Sequence, residues 1–196
     1  MAAKKKETRV IITGFGGQGI VLTGNILGQA ATLHDGLHAT MTQNYGPEAR
    51  GGSCSSQVII SGAEIPYPYV EQADLLVCMS QEGYTKNLSA LAPGGVLVWD
   101  TNLVKTGGHD PSWRTFDLPA TAIAEEMGNK MMANIVMLGF LSAVFPAASP
   151  EAMREAMLAA VPPRTKDKNA LAFERGRERG QGLLESGRAG QGRRHS

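Results

Sequence analysis

Cysteine is nearly absent from this chain: of 196 residues only Cys54 and Cys78 are cysteines, and they have no CxxC spacing. Two thiols cannot build a disulfide framework, a four-thiolate zinc site or an iron–sulfur site. Such usage fits a reducing cytoplasm. Histidine is sparse too, and the four, His34, His38, His109 and His195, form no i, i+4 pair on one helix, so no metal site is expected. No apolar run approaches the ~20 residues of a membrane span. The start, "MAAKKKETRVIITG", passes from three lysines straight into a strand, without the apolar stretch of about 7–15 residues that a signal peptide needs. Catalytic signatures are missing too: there is no G-x-S-x-G elbow, no Walker lysine and no clustered Cys–His pair. Net charge is only +1, so nothing draws the whole chain to nucleic acid or membrane. Beneath that sum, residues 1–163 carry 10 Lys+Arg against 14 Asp+Glu and residues 164–196 carry 9 against 4, so the basic end is local.

What the chain has is apolar segments punctuated by 24 glycines, and enough length for one sizeable core. "RVIIT" is a short β-branched run suited to a buried strand. After a glycine turn, Ile20, Leu22, Ile26, Leu27, Ala30, Ala31 and Leu33 are spaced for one helical face, stopped by Gly36. Strands are expected near 37–43, 55–62, 74–80, 95–101 and 113–119, with a helix over 82–92 ended by "PGG". A helix should run to Met127, break at Gly128 and resume as a longer apolar helix to Phe145. Ser149 as N-cap and Pro150 in the first turn open a further helix. Residues 168–185 read as an amphipathic helix anchored by Leu171, Phe173 and Leu184. The alternation predicts a three-layer α/β fold: a Rossmann-like, open, mainly parallel sheet with helices on both faces and right-handed crossovers. Its divisions are a flexible N-terminus (1–8), a Rossmann-like domain (9–163), a helical extension (164–185) and a disordered basic tail (186–196).

The first turn, "GFGGQG", satisfies G-x-G-x-x-G at Gly14, Gly16 and Gly19, after a strand and opening a helix. Glycines there let the chain turn sharply and bring backbone N–H groups and the positive helix end to a pyrophosphate. A dinucleotide site also wants an acid about 20 residues on, at the end of the second strand, to hold the ribose hydroxyls. That strand ends "HATMTQNYG", with Thr42, Gln43 and Asn44 where the acid should stand; Asp35 comes before the strand. Glycines serving only tight strand-to-helix packing are an equal reading. A second glycine-rich loop, "NYGPEARGGSC", should lie beside the first at the carboxyl edge of the sheet. There Arg50 with Gly51 and Gly52 could meet an anion, or Glu48 and Arg50 could stiffen a surface turn. Lys130 could reach a phosphate but suits a solvated position as well. Met127, Met131, Met132 and Met137 read as core or interface filler. Exposed aromatic or methionine surface in 66–70 or 127–145 would mark an interface.

Three segments together, "GFGGQGI", "QNYGPEARGG" and "EEMGNKMMANIVMLG", with the closing "NALAFERGRERG", resemble the gamma subunit of the thiamine-dependent 2-oxoacid:ferredoxin oxidoreductases, nearest the 2-oxoglutarate type. The likeness spans about Arg9 to Gly180. It implies a complex catalysing 2-oxoacid + coenzyme A + oxidised ferredoxin → acyl-CoA + CO2 + reduced ferredoxin. The implied partners are alpha and beta subunits, a ferredoxin-like delta subunit and, through the complex, ferredoxin. Thiamine diphosphate, Mg2+ and 4Fe–4S clusters would be held by the partners. This chain would hold no cofactor alone and supply no catalytic residue. Gly14, Gly16, Gly17, Gln18, Gly19, Tyr45, Glu48, Arg50, Gly51 and Gly52 would form two loops facing the shared active site or receiving coenzyme A. Coenzyme A has a phosphorylated ribose 3′ position, so the missing acid would not matter to it. An indolepyruvate- or pyruvate-specific subunit, and a free-standing dinucleotide-binding dehydrogenase, stay open as alternatives.

Overall fold

A computed structural model describes residues 7–46, 51–145 and 147–187. Six strands form one sheet in the order β2-β3-β1-β4-β5-β6, where β1 is Thr8–Phe15, β2 His38–Tyr45, β3 Ser53–Ser61, β4 Ala73–Cys78, β5 Leu91–Asp100 and β6 Arg114–Leu118. β1, β4, β5 and β6 run parallel; β3 is antiparallel to both β1 and β2. The mainly parallel sheet is therefore present, with one reversed strand. The reversal comes from "NYGPEARGG": a loop this short returns the chain as a β2–β3 hairpin, whereas a parallel link needs a crossover helix.

Alternation along the strands sorts the core into two faces. Val10 and Ile12 enter one cluster, whereas Ile11 enters the other. Among the described residues the first face carries five helices: α1 Ile20–Gln29, α3 Ala120–Glu126, α4 Ala133–Val144, α5 Pro150–Ala160 and α6 Lys166–Glu185. The second carries α2, Gln81–Asn87, and two irregular connections that contribute Ile65, Val70 and Val104. Eleven of the twelve residues of α4 are buried, so it is the central helix of the thick face.

Three expectations about side chains are corrected. Leu33 is 73% exposed, because a π-helical turn over Ala30–His34 rotates it off the apolar stripe of α1. Leu171 and Leu184 also point outward; α6 buries Ala172, Phe173, Gly176 and Gly180 instead. It does so because it approaches α4 backbone to backbone: a methyl at Gly139 would collide with the Phe173 carbonyl, and one at Gly176 with the Val136 carbonyl. That close cover also removes α4 from the interface expected over 127–145, where Met131, just before the helix, is the large apolar side chain left exposed.

The predicted helix over 82–92 stops early, and Leu91 begins β5. Ser149 caps α5 as read, accepting from the Ala152 N–H at 3.2 Å. Asp35 accepts from the Ser149 N–H at 2.6 Å and from its hydroxyl at 2.7 Å, tying the end of the α1 segment to the start of α5. Among the described residues no helix is long and apolar enough to cross a membrane.

Candidate functional site

The carboxyl edge of β1 carries the first glycine turn. Gly17 and Gly19 have φ of 93° and 74°, left-handed values that a side chain would strain. Gln18 closes the turn twice: its N–H donates to the Phe15 carbonyl at 3.1 Å, and its side-chain oxygen accepts from the Phe15 N–H at 2.6 Å. A methyl at Gly14 would meet that side-chain oxygen and the tip of Ile20, so both side chains would have to shift to admit one. α1 then begins at Ile20 with no side-chain cap and no acid in its first turn, so no side chain among the described residues caps its N–H groups and positive end.

The second loop reaches the first. Gly16 donates its N–H to the Gly52 carbonyl at 2.9 Å, and a methyl on Gly16 would stand 3.4 Å from the Gly51 nitrogen. Gly46 donates to Ser53 at 2.7 Å and closes the hairpin loop, and Gly51 has φ 70°. Gly14, Gly16, Gly17, Gln18, Gly19, Gly51 and Gly52 thus form one continuous backbone surface. Glu48 and Arg50 fall outside the described residues. The N–H groups of Phe15, Gly16 and Gln18 are spent on internal bonds. An anion would have to be held by the remaining turn N–H groups and the first turn of α1.

Tyr45 belongs to a neighbouring cleft on the α2 side of the sheet. This opening of about 300 Å3 is lined by Thr13, Asn44, Tyr45, Ser55, Lys86 and Asn87, among others. The Tyr45 hydroxyl donates to Gln43 at 2.6 Å, and the ring is exposed. Lys86 is ion-paired with Glu82 one helical turn away, which holds the Glu82 carboxyl below the usual carboxylate range. α2 lies close to β1, where a methyl at Gly83 would strike the Thr13 hydroxyl.

Asn134 is a residue that pattern reading missed. It is buried at the start of α4 and donates from Nδ2 to the Gly19 carbonyl at 3.4 Å; that carbonyl also accepts the Thr23 N–H at 2.9 Å and hydroxyl at 3.0 Å. A methyl at Gly19 would run into the Asn134 amide. The available signal was an amide at the head of an otherwise apolar helix, since a buried amide requires a partner. Lys130, by contrast, is exposed in a single 3-10 turn capped by Asn129.

The metal-type donors stay apart. Cys54 and Cys78 are free and belong to clusters on opposite faces of the sheet, so they cannot share a metal or cluster. Burial pushes both thiols up. No three His, Cys, Asp or Glu side chains gather among the described residues. Asp100, buried at the end of β5, caps α3 by accepting from the Thr121 N–H at 2.9 Å and hydroxyl at 2.6 Å.

The family model described as pyruvate ferredoxin/flavodoxin oxidoreductase matches residues 9–179. A curated relative, 2-oxoglutarate synthase subunit KorC of Methanocaldococcus jannaschii, is 46% identical, with 89% of this chain and 93% of the relative covered. The subunit of that name from Methanothermobacter thermautotrophicus is 44% identical, covering 91% of this chain and 96% of the relative. A crystal structure of a keto/oxoacid ferredoxin oxidoreductase gamma subunit from Geobacter sulfurreducens superposes with a TM-score of 0.79 at 35% identity, covering 89% of this chain and 99% of that one.

Proposed function

Because this chain belongs to the pyruvate ferredoxin/flavodoxin oxidoreductase family, we propose that it is the gamma subunit of a 2-oxoglutarate:ferredoxin oxidoreductase. The complex converts 2-oxoglutarate, coenzyme A and oxidised ferredoxin to succinyl-CoA, CO2 and reduced ferredoxin. The choice of 2-oxoglutarate rests on three relatives at 44–46% identity, all 2-oxoglutarate synthase subunits. Thiamine diphosphate, bound by partner subunits, supplies the decarboxylation chemistry. Iron–sulfur clusters fall to partners as well, since the described part of this chain offers two thiols on opposite faces of its sheet.

The role of this chain is to present its carboxyl-edge loops to the shared active site, and the observation that carries it is the Gly16 to Gly52 hydrogen bond joining them. The joined loops offer turn N–H groups and an uncapped helix start to the coenzyme A pyrophosphate. No acid is required at the end of β2, where Gln43, Asn44 and Tyr45 stand, because coenzyme A has no free ribose diol to bind. Arg50, in the sequence of the second loop just before Gly51, is the cationic residue chosen to test this reading. In the assembled complex Arg50→Ala should raise the KM for coenzyme A by roughly tenfold, the worth of one charge-assisted contact, with kcat near wild type. An unchanged KM with intact assembly sinks the coenzyme A assignment.

A further inference from the structure

The thin face of the sheet carries an apolar feature that the loops at the carboxyl edge do not use. Between β3 and β4 the chain reads "AEIPYPYVEQAD". Ile65 and Val70 turn inward and pack with the second core cluster, and the Val70 N–H donates to the Gln57 side chain at 3.1 Å. Tyr67 and Tyr69, between those two anchors, turn outward with 55% and 56% of their surface exposed. Their rings meet edge to face at 5.4 Å. Pro66 and Pro68 fix the backbone on either side of Tyr67. The segment is therefore rigid, fastened at both ends, and shows two aromatic rings to the outside. Pre-organised exposed tyrosines are what interface hot spots are made from, because little conformational freedom is lost when they are covered.

Charge identifies the occupant. Glu64, Glu71 and Asp74 flank the tyrosines, and no Lys or Arg occurs from Glu64 to Asp74. Asp74 accepts the Arg9 N–H, and the Arg9 guanidinium is paired with Glu7, so the local surplus is acidic. A phosphate backbone or an anionic lipid surface would be repelled. A second copy fits poorly, since two such patches repel each other. The exposed basic residues of α6, including Lys166, Lys168, Arg175 and Arg179, belong to a helix packed on the opposite face of the sheet, so joining patch to helix would make a head-to-tail contact that does not close into a pair.

We infer that the Tyr67–Tyr69 segment is the docking site for a basic protein surface, an arginine- or lysine-bearing element of a neighbouring subunit in the oxidoreductase complex. The inference rests on the subunit reading above. Arginine suits the site doubly, stacking on the tyrosine faces and pairing with the flanking carboxylates.

The test is assembly of the complex from separately purified subunits, followed by native mass spectrometry and sedimentation at two salt concentrations. Tyr67→Ala with Tyr69→Ala should weaken assembly by at least about tenfold, the scale of a truncated hot spot. Glu64→Lys with Glu71→Lys should slow association and flatten its salt dependence. Both variants change exposed side chains, so the isolated chain should unfold at the wild-type temperature. Variants that fold and assemble like wild type overturn the docking site while leaving the subunit reading intact. A wild-type chain that self-associates through this patch overturns the choice of occupant. A wild-type chain that joins no oxidoreductase subunit overturns the subunit reading and this inference with it.

Discussion

Gly19 shows how one residue can be fixed from two directions. Its φ of 74° penalises any side chain, and a methyl there would strike the Asn134 amide. Gly19→Ala should therefore cost roughly 2–4 kcal/mol, the sum of backbone strain and overpacking. Asn134→Ala should cost about 1 kcal/mol by removing one long hydrogen bond. The double variant should lose less than the two single losses added, because the small side chain at 134 gives the methyl room. Urea unfolding midpoints measure all three. A second residue-scale prediction concerns His109. Its ring packs on Trp99 at 5.3 Å, its Nε2 is buried without a partner among the described residues, and burial lowers its pKa. The unfolded chain then binds the proton more readily, so His109 favours folding above its unfolded value of about 6.5 and that contribution fades as pH falls below it. Between pH 7 and pH 5 the thermal midpoint of wild type should drop more than that of His109→Phe; equal drops would remove His109 as the cause. Residues of this kind were poorly legible in the sequence. The glycine fingerprint marks Gly14, Gly16 and Gly19 directly, but Asn134 comes from more than a hundred positions away, and only the packing of α4 brings it to the turn.

At the scale of elements, the α4–α6 pair depends on glycine more than on leucine. Of the three apolar side chains that the sequence offers as anchors of α6, Phe173 is buried but Leu171 and Leu184 face outward, because the contact stripe includes Gly176 and Gly180 and glycine carries no hydrophobic signal. Gly139→Ala or Gly176→Ala should push the helices apart and cost about 1–3 kcal/mol each, read as a lower denaturant midpoint; a cost within 0.5 kcal/mol would show that the crossing has slack. The same scale explains Asp35. Position relative to the second strand ruled it out as a ribose ligand; it serves instead to hold Ser149 at the head of α5. Asp35→Ala should destabilise by roughly 1–3 kcal/mol, since it strips partners from the Ser149 N–H and hydroxyl.

For the whole molecule, periodicity and glycine punctuation made the α/β sheet and most strand positions legible, since buried strands of this class announce themselves as β-branched runs. The reversed β3 was not legible, because alternating "SSQVIIS" reads the same in either direction; only the short loop before it specifies the hairpin. The uneven cover of the sheet was hidden too, as it depends on which face each helix chooses. That unevenness shapes the molecule: a thick face closed by five helices, a thin face ending in outward tyrosines, and a carboxyl edge where two glycine loops join. A chain so built completes a larger machine. The direct measurement is reduction of ferredoxin by 2-oxoglutarate and coenzyme A, with the partner subunits assembled with and without this chain and with pyruvate and indolepyruvate as competing substrates. Turnover should require this chain and favour 2-oxoglutarate. Full turnover without it, or oxidation of a substrate by this chain alone with a nicotinamide, would contradict the account.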